Sequence, residues 1–327
     1  MKANNSEKGK TIVMRNPIVK FMRRNTGILL GLLALCVILS FATDKFLDAE
    51  NFITVLRQIC INLLLAYGMT FVLITGGIDL TVGSVVAMSG VLTVMLLNQG
   101  LPFALAILLG MLLGTVVGVC NGTTIALTGM PPFIVTLSMQ LIVRGLSYII
   151  SNGRSVSSAN DLFKKIGNGY WLQIPIPIYI IFVVTLLVSV LLYWTKFGRR
   201  MYAVGGNEVA ASYTGISIRK VKILVYAISG TLAAVAGILL ASRMYSGQPT
   251  AGQNYESDAI AAAVLGGTSF SGGVGTVGGT VIGALVIGIL SNGLNLLQVD
   301  YYWQQVVKGV VILFAVGFDT LKKQQRT

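Results

Sequence analysis

Long apolar runs separated by short polar connections recur along the whole chain. Ten runs can be delimited, and most approach the roughly 20 residues that a helix needs to cross a bilayer. They cover residues 27–42, 53–75, 81–98, 101–120, 133–150, 174–194, 223–241, 259–268, 274–297 and 303–318. The run 259–268 is the shortest and the weakest of the ten. The pattern therefore predicts an all-α polytopic membrane protein with about ten transmembrane helices.

Composition agrees with this class and argues against a soluble enzyme. The mean hydropathy is +0.80, and 11% of the residues are charged, whereas about a quarter are charged in soluble domains. The chain has no histidine, so it lacks the commonest general base and metal ligand. Its cysteines, Cys36, Cys60 and Cys120, lie in apolar runs without metal-ligand spacing. We expect no catalytic residues, no metal site, no cofactor and no ATP site within this chain.

The basic residues are concentrated in three segments. The net charge of +13 falls largely in the N-terminal tail 1–26, the central segment 196–222 and the C-terminal tail 319–327. An excess of lysine and arginine near span ends marks the cytoplasmic side. Both termini and the central segment are therefore predicted to be cytoplasmic, with the transmembrane domain covering 27–318. Such basic surfaces suit anionic lipid, and nucleic-acid binding is not expected.

The central segment also contains a local structural signal. Gly205 and Gly206 interrupt the chain, and Asn207 is a favourable N-cap for a short helix that begins at Glu208. Alanines 210 and 211 would give this helix a small-residue side that fits a partner's groove. The segment is either a docking element for a cytoplasmic partner or a loop that only fixes the orientation of the protein.

Two glycine- and hydroxyl-rich clusters interrupt the apolar pattern. The first contains Gly76, Gly77, Asp79, Thr81 and Ser84, and the second contains Gly266, Gly267, Thr268 and Ser269. Non-helical backbone at membrane depth occurs only where it is buried in protein or lines an aqueous cavity. Each cluster is thus a candidate for the translocation pathway or for a structural break. Asp79 either caps the following helix or contacts solute, and the two clusters suggest an internal repeat.

Five ionisable residues are predicted to lie toward the outer side of their spans. They are Arg57, Arg144, Glu256, Asp258 and Lys308. Opposite charges at one depth can pair, and long basic side chains can also extend to the interface. We expect pairing for Lys308 and extension to the interface for Arg57.

Four stretches resemble the permease subunit of the ribose, galactose and xylose branch of bacterial ABC importers. They are GMTFVLITGGIDLTVGS (68–84), GRRMYAVGGNEVAASYTGI (198–216), YESDAIAAAVLGGTSFSGGVGTVGG (255–279) and YYWQQVVKGVVILFAV (301–316). The resemblance covers nearly all of residues 27–323, and ribose permeases are the nearest members. Thr81 and Thr214 stand where serine is common in the family, and both keep a hydroxyl group.

The resemblance implies a type II-like ABC importer permease in a bacterial inner membrane. Its implied partners are a second permease copy in a homodimer, a cytoplasmic ATPase with two nucleotide-binding domains, and an extracytoplasmic binding protein that delivers a monosaccharide such as ribose. The ATPase-contacting loop of the family is matched in this chain by Gly205, Gly206, Asn207, Ala210, Ala211 and Gly215. Glu208 lies within the same loop and is counted with it. The alternative is an ion-coupled secondary transporter, which normally needs intramembrane acids or histidines. Asp79 would be its candidate ion ligand.

Overall fold

The computed structural model describes residues 17–324, and this part of the chain is almost entirely helical. Its α-helices are α1 Pro17–Ala42, α2 Ala49–Ile74, α3 Val82–Asn98, α4 Phe103–Thr128, α5 Pro132–Ile150, α6 Asp161–Asn168, α7 Ile176–Tyr193, α8 Lys196–Gly206, α9 Glu208–Tyr213, α10 Ile218–Arg243, α11 Tyr255–Leu265, α12 Val277–Leu296 and α13 Tyr301–Gln324. A short 3-10 helix covers Asp44–Leu47, and the two-residue strands are β1 Val156–Ser157, β2 Tyr170–Trp171, β3 Ile174–Pro175 and β4 Ser246–Gly247. Residues 1–16 of the predicted N-terminal tail and 325–327 of the predicted C-terminal tail lie outside the described residues.

Six helices of the described chain are long and apolar enough to cross a membrane. They are α2, α4, α5, α7, α10 and α12. Helix α3, with 17 residues, and residues 26–42 of α1 are apolar but shorter. The weakest predicted run corresponds to α11, which has 11 residues and therefore a length of about 16 Å. The figure of about ten transmembrane helices is not confirmed and stays a prediction.

Helices α2 and α10 form the centre of the bundle. Each has 26 residues and is largely buried. They approach closely where Gly68 of α2 meets Ser229 of α10, since a Cβ atom at Gly68 would lie 3.0 Å from the Ser229 Cα atom. Small residues permit such close packing of helices in lipid, where dispersion contacts rather than hydrophobic burial drive association. The other elements are arranged around this pair.

The chain turns back into the bundle after each central helix. Residues 75–81, the first re-entrant segment, follow α2 and lead into α3. Residues 244–254, the second re-entrant segment, follow α10 and lead into α11. The two segments approach each other where Gly83, at the start of α3, meets Gly252, because a Cβ atom on either glycine would overlap the backbone of the other. Helix α3 thus begins in the interior of the protein, whereas α11 begins next to the exposed residues 253 and 254.

The order long helix, re-entrant segment, short helix and long helix occurs twice, in α2 to α4 and in α10 to α12. Sequence analysis paired the cluster around residue 76 with the cluster around residue 266. The structure corrects this pairing, because the counterpart of residues 75–81 is 244–254. The second cluster lies instead after the short helix α11. Its glycines and hydroxyl groups resembled the first cluster in composition, but the position relative to the long helix defines the repeat.

The connection between α5 and α7 is folded against one end of the bundle, which we call the α6 end. Strand β1 pairs with β4 of the second re-entrant segment, with Val156 opposite Gly247 and Ser157 opposite Ser246. The Gly167 N–H of α6 donates to Ser242 Oγ of α10 at 2.7 Å. Helices α8 and α9 lie at the start of α10, which we call the α8–α9 end.

Within residues 196–222 sequence analysis predicted a single short helix after Asn207, but the segment also contains α8 and the first turn of α10. Met201 and Val204 of α8 are buried, and their spacing of three residues matches one side of a helix. Several exposed basic residues in α8 obscured this spacing of apolar residues in the sequence. Gly205 and Gly206 end α8 instead of interrupting a loop.

Candidate functional site

The first re-entrant segment is organised around the buried carboxylate of Asp79. Asp79 Oδ1 accepts hydrogen bonds from the Thr81 N–H at 3.0 Å and from the Thr81 hydroxyl. Its other oxygen, Oδ2, accepts from Ser229 Oγ of α10 at 2.7 Å. Asn121 of α4 donates from Nδ2 to Thr81 Oγ1 at 3.1 Å. These bonds fix the segment to two neighbouring helices at the middle of the bundle.

Asp79 therefore acts at the start of α3, as one of the two alternatives from sequence analysis proposed, but it does not occupy the N-cap position itself. The N-cap position is Thr81 and the helix begins at Val82, so the Asp79 carboxylate serves the N-cap residue itself. The hydroxyl of Ser84 donates to the Thr81 carbonyl at 2.8 Å. Sequence reasoning missed Ser229 and Asn121, because hydroxyl and amide side chains in apolar runs gave no signal of their partners.

The turn at the beginning of this segment requires glycine. Gly76 has a φ of +77°, which lies in the left-handed region that disfavours other residues. A Cβ atom at Gly77 would overlap the Tyr226 hydroxyl, which donates to the Ile78 carbonyl at 3.2 Å. The glycine pair allows the chain to reverse directly after α2.

The second re-entrant segment is held by a guanidinium group. Arg144 of α5 donates from one terminal nitrogen to the Pro249 carbonyl at 2.8 Å and to the Ala251 carbonyl at 2.6 Å. These carbonyl groups belong to non-helical backbone inside the bundle, where unpaired polar groups are costly. Sequence analysis identified Arg144 as a candidate charge but not this role.

Glu256 lies directly after this segment, at the start of α11. Its Oε1 atom accepts from Gln140 Nε2 at 3.5 Å, while its buried Oε2 atom has no hydrogen-bond partner among the described residues. A Cβ atom at Gly83 would lie 2.6 Å from that Oε2 atom. Gln140 and Arg144 of α5 and Glu256 of α11 thus form a polar cluster beside the contact of the two re-entrant segments.

The remaining charged candidates have different environments. Lys308 Nζ of α13 lies 2.8 Å from Asp258 Oδ2 of α11, so the expected ion pair is present. Arg57 does not simply extend toward an interface. Its guanidinium donates to the Asn168 carbonyl at 3.1 Å and lies 4.8 Å from the centre of the Tyr170 ring, which joins α2 to the α6 end.

The second glycine–hydroxyl cluster lies at the α8–α9 end, in the connection 266–276. Gly267 has a φ of +84°, while Thr268 and Ser269 are buried. The Gly273 N–H donates to the Ile74 carbonyl at the end of α2 at 2.8 Å. The cluster, which begins with Gly266, therefore packs between helices and does not form a re-entrant segment.

The same carbonyl of Ile74 contacts the end of α8. A Cβ atom at Gly205 would overlap it, whereas one at Gly206 would meet no atom of the described chain within 4 Å. Tyr202 of α8 donates its hydroxyl to the Gly275 carbonyl at 2.8 Å. Helix α8, the end of α2 and the connection 266–276 consequently form one packed junction.

Helix α9 confirms the predicted cap and short helix. The Asn207 side chain accepts from the Ala210 N–H at 2.9 Å. Glu208 forms an ion pair with Lys222 of α10 at 2.8 Å. After α9 the chain turns at Gly215, whose φ is +80°.

The two alanines of α9 have opposite environments. Ala210 is exposed, but Ala211 is only 4% exposed and packs in the hydrophobic core of this chain. The expectation that both alanines fit a partner's groove is therefore wrong for Ala211. The exposed surface of α9 contains Val209, Ala210 and Tyr213, of which Tyr213 is 86% exposed.

A cavity of about 190 Å³ connects α9 with the first re-entrant segment. Its lining includes Thr75, Gly76 and Gly77 on one side and Glu208 and Lys222 on the other. Helix α9 and the turn after α2 thus border one space, so movement of α9 would change the surroundings of this turn.

Comparison with known proteins places most of this chain in one family. Residues 51–316 match the family described as branched-chain amino acid transport system / permease component. The chain is 48% identical over 298 residues to the ribose import permease protein RbsC of Bacillus subtilis strain 168. The matched residues cover 90% of this chain and 92% of that protein. It is 43% identical over 299 residues to the ribose import permease protein RbsC of Escherichia coli K12, covering 90% and 93% of the two chains.

Similarity extends to a permease for another sugar. The D-allose transport system permease protein AlsC of Escherichia coli K12 is 38% identical over 283 residues, covering 86% of this chain and 87% of that protein. No solved structure matches the chain.

Proposed function

Because this chain belongs to the family described as branched-chain amino acid transport system / permease component, we propose that it is the membrane permease subunit of an ATP-driven sugar importer. The observation that carries the proposal is the near full-length similarity to permeases named for sugars. Ribose is the preferred substrate, since the relatives with the highest identity reported above are ribose permeases. ATP hydrolysis takes place on a separate subunit.

We propose that the exposed surface of α9 and the preceding turn contact that ATPase. Gly206, Asn207 and the α9 residues Glu208 and Ala210 are exposed at the α8–α9 end, and Gly215 ends this surface. Gly205 and Ala211 are packed inward and hold the surface in place. The proposed assembly also contains a second permease copy, a cytoplasmic ATPase with two nucleotide-binding domains and an extracytoplasmic sugar-binding protein.

In this assembly the α8–α9 end and both chain termini face the cytoplasm of a bacterial inner membrane. The basic excess of the central segment supports this orientation. Single cysteines at Ser212 and Ala159, both exposed, test it in a variant that lacks the three native cysteines. An impermeant thiol reagent applied to intact cells should label position 159 and not position 212. Labelling of position 212 alone would reverse the orientation.

The function is tested by reconstituting the permease with its cognate ATPase and binding protein in proteoliposomes. We expect ATP-dependent uptake of radiolabelled ribose that exceeds the uptake of xylose, allose and leucine. Leucine is included because the family description names branched-chain amino acids. Preferential uptake of leucine, or ribose uptake without ATP, would contradict the proposal.

The ATPase contact is tested separately with Ala210→Glu. Because Ala210 is exposed, the variant should remain folded while the long anionic side chain disrupts docking. Co-purified ATPase and ribose uptake should both fall about tenfold or more. Ala159→Glu provides a matched control on an exposed position at the α6 end. Unchanged co-purification in Ala210→Glu would remove α9 from the contact.

A further inference from the structure

Helix α5 has one polar side in an otherwise apolar sequence. Thr136, Gln140, Arg144 and Ser147 follow one another at spacings of four, four and three residues, so they lie on one side of the helix. The opposite side is apolar and exposed, for example at Ile149. We call these four residues the α5 polar stripe.

The α5 polar stripe extends between the two re-entrant segments. At one end, Thr136 Oγ1 lies 3.3 Å from the Ile78 carbonyl in the first segment. Further along, Arg144 binds two carbonyl groups of the second segment, as described above. Gln140 lies between these contacts and is partly accessible. The stripe therefore follows the line along which both segments meet.

Glu256 faces this stripe with an unused acceptor. The residue is half-buried, and its contact with Gln140 is long at 3.5 Å. Its Oε2 atom is buried, and no residue in the described part of the chain donates to it. A carboxylate inside a membrane protein is costly unless donors satisfy it. The Oε2 atom consequently needs a donor that the described residues do not supply.

We propose that Gln140 and Glu256 bind hydroxyl groups of the sugar as it passes through the permease, and this inference rests on the proposed function. Glu256 accepts a hydrogen bond from a sugar hydroxyl, while the Gln140 amide can donate to a neighbouring hydroxyl oxygen and accept from it. Arg144 positions the second re-entrant segment beside them. Its positive charge offsets that of Glu256, so the site favours a neutral, hydroxyl-rich solute over a cation.

The test compares sugar movement with ATP hydrolysis in the reconstituted complex of permease, ATPase and binding protein. Glu256→Gln removes the anionic acceptor and keeps the side-chain size. We expect ribose uptake at saturating loaded binding protein to fall about tenfold, as for the loss of one charged hydrogen bond. ATP hydrolysis should stay within about twofold of wild type, because the nucleotide sites are on another subunit.

The ratio of ribose moved to ATP hydrolysed separates solute binding from a structural defect. A variant that only misfolds loses both activities in proportion, and this result for Glu256→Gln and for Gln140→Leu would overturn the inference. Gln140→Leu is the second variant, because it changes a different helix and should lower the same ratio. Unchanged ratios in both variants would also overturn it.

Glu50→Gln, at an exposed position in the first turn of α2, is the matched control and should keep the wild-type ratio. Ribose uptake by the wild-type protein tests the proposed function itself. If the wild type moves no sugar, the proposed function fails, and the inference fails with it. If the wild type moves ribose and the variants match it, the inference alone fails.

Discussion

The two re-entrant segments have equivalent positions in the fold, but they are held by side chains of opposite charge. The first, 75–81, is held by the Asp79 carboxylate, which accepts hydrogen bonds from backbone and hydroxyl groups. The second, 244–254, is held by the Arg144 guanidinium, which donates to backbone carbonyls. Asp79 is fully buried, whereas Arg144 remains partly accessible. The group that holds the segment is therefore fully buried in one half of the chain and partly accessible in the other.

This difference predicts that the first segment chiefly supports stability and that the surroundings of the second chiefly serve transport. All acceptor atoms of the Asp79 carboxylate are used within the protein, so the first segment acts as a fixed support for α3. At the second segment the neighbouring Glu256 keeps an unused acceptor. A substitution in the first segment should chiefly change folding, and one beside the second should chiefly change solute movement.

The largest effect is expected for Asp79→Ala. This change leaves the Thr81 N–H and the Ser229 hydroxyl without their acceptor in a buried site, at a cost of about 3–5 kcal/mol. Thermal unfolding in detergent and abundance in the membrane measure the loss. Asp161→Ala is the control, because the Asp161 side chain is 86% exposed and its ion pair with Lys164 lies at the surface. Equal stability of the two variants would remove Asp79 as the support of the first segment.

A smaller effect is expected for Gly205→Ala at the junction of α8 with α2. The added methyl group would overlap the Ile74 carbonyl, and overpacking of this kind costs about 1–3 kcal/mol. An added Cβ atom at the adjacent Gly206 would meet none of the described residues within 4 Å, so Gly206→Ala should leave the stability unchanged. The melting temperature should fall only in the first variant. If both variants behave alike, the junction does not support the turn after α2.

Arg144→Lys tests the second segment directly. A lysine ammonium can replace one of the two hydrogen bonds but not the paired geometry of the guanidinium, so a loss of about 1 kcal/mol is expected. Arg154→Lys, at an exposed position, should have no effect on the melting temperature. A loss as large as that of Asp79→Ala would mean that the two segments are equally closed.

The smallest effect is expected for Lys222→Gln, which removes the ion pair with Glu208. A surface pair contributes about 0.2–1 kcal/mol, and the loss should decrease as salt is added. Lys220→Gln, at an exposed neighbouring position, serves as the control. A salt-independent loss would show that the pair supports the fold of α9 in another way.

Local chemistry was predictable where the partners are close in sequence. Asn207 was expected to cap a short helix, and its side chain accepts from the Ala210 N–H. The glycine pair at 76–77 was expected to interrupt the apolar pattern, and the chain turns there. Both features depend on residues within one or two turns of chain, so the sequence contains the required information.

Tertiary contacts were not predictable from the single sequence. Asp79 and its partner Ser229 are separated by 150 positions, and a serine in an apolar run has no feature that identifies its partner. The inward side of Ala211 depends on packing against other helices. The contact between Gly83 and Gly252 likewise requires both re-entrant segments to be in place.

The pairing of β1 with β4 has a mechanical consequence. A two-residue antiparallel ladder is marginally stable alone, so it acts as a latch that opens under a small load. Ser157 also accepts through its carbonyl from Asn98 Nδ2 at 2.8 Å, which attaches the end of α3 to the same latch. Opening of the latch would therefore release β4, which ends two residues before the Pro249 carbonyl held by Arg144.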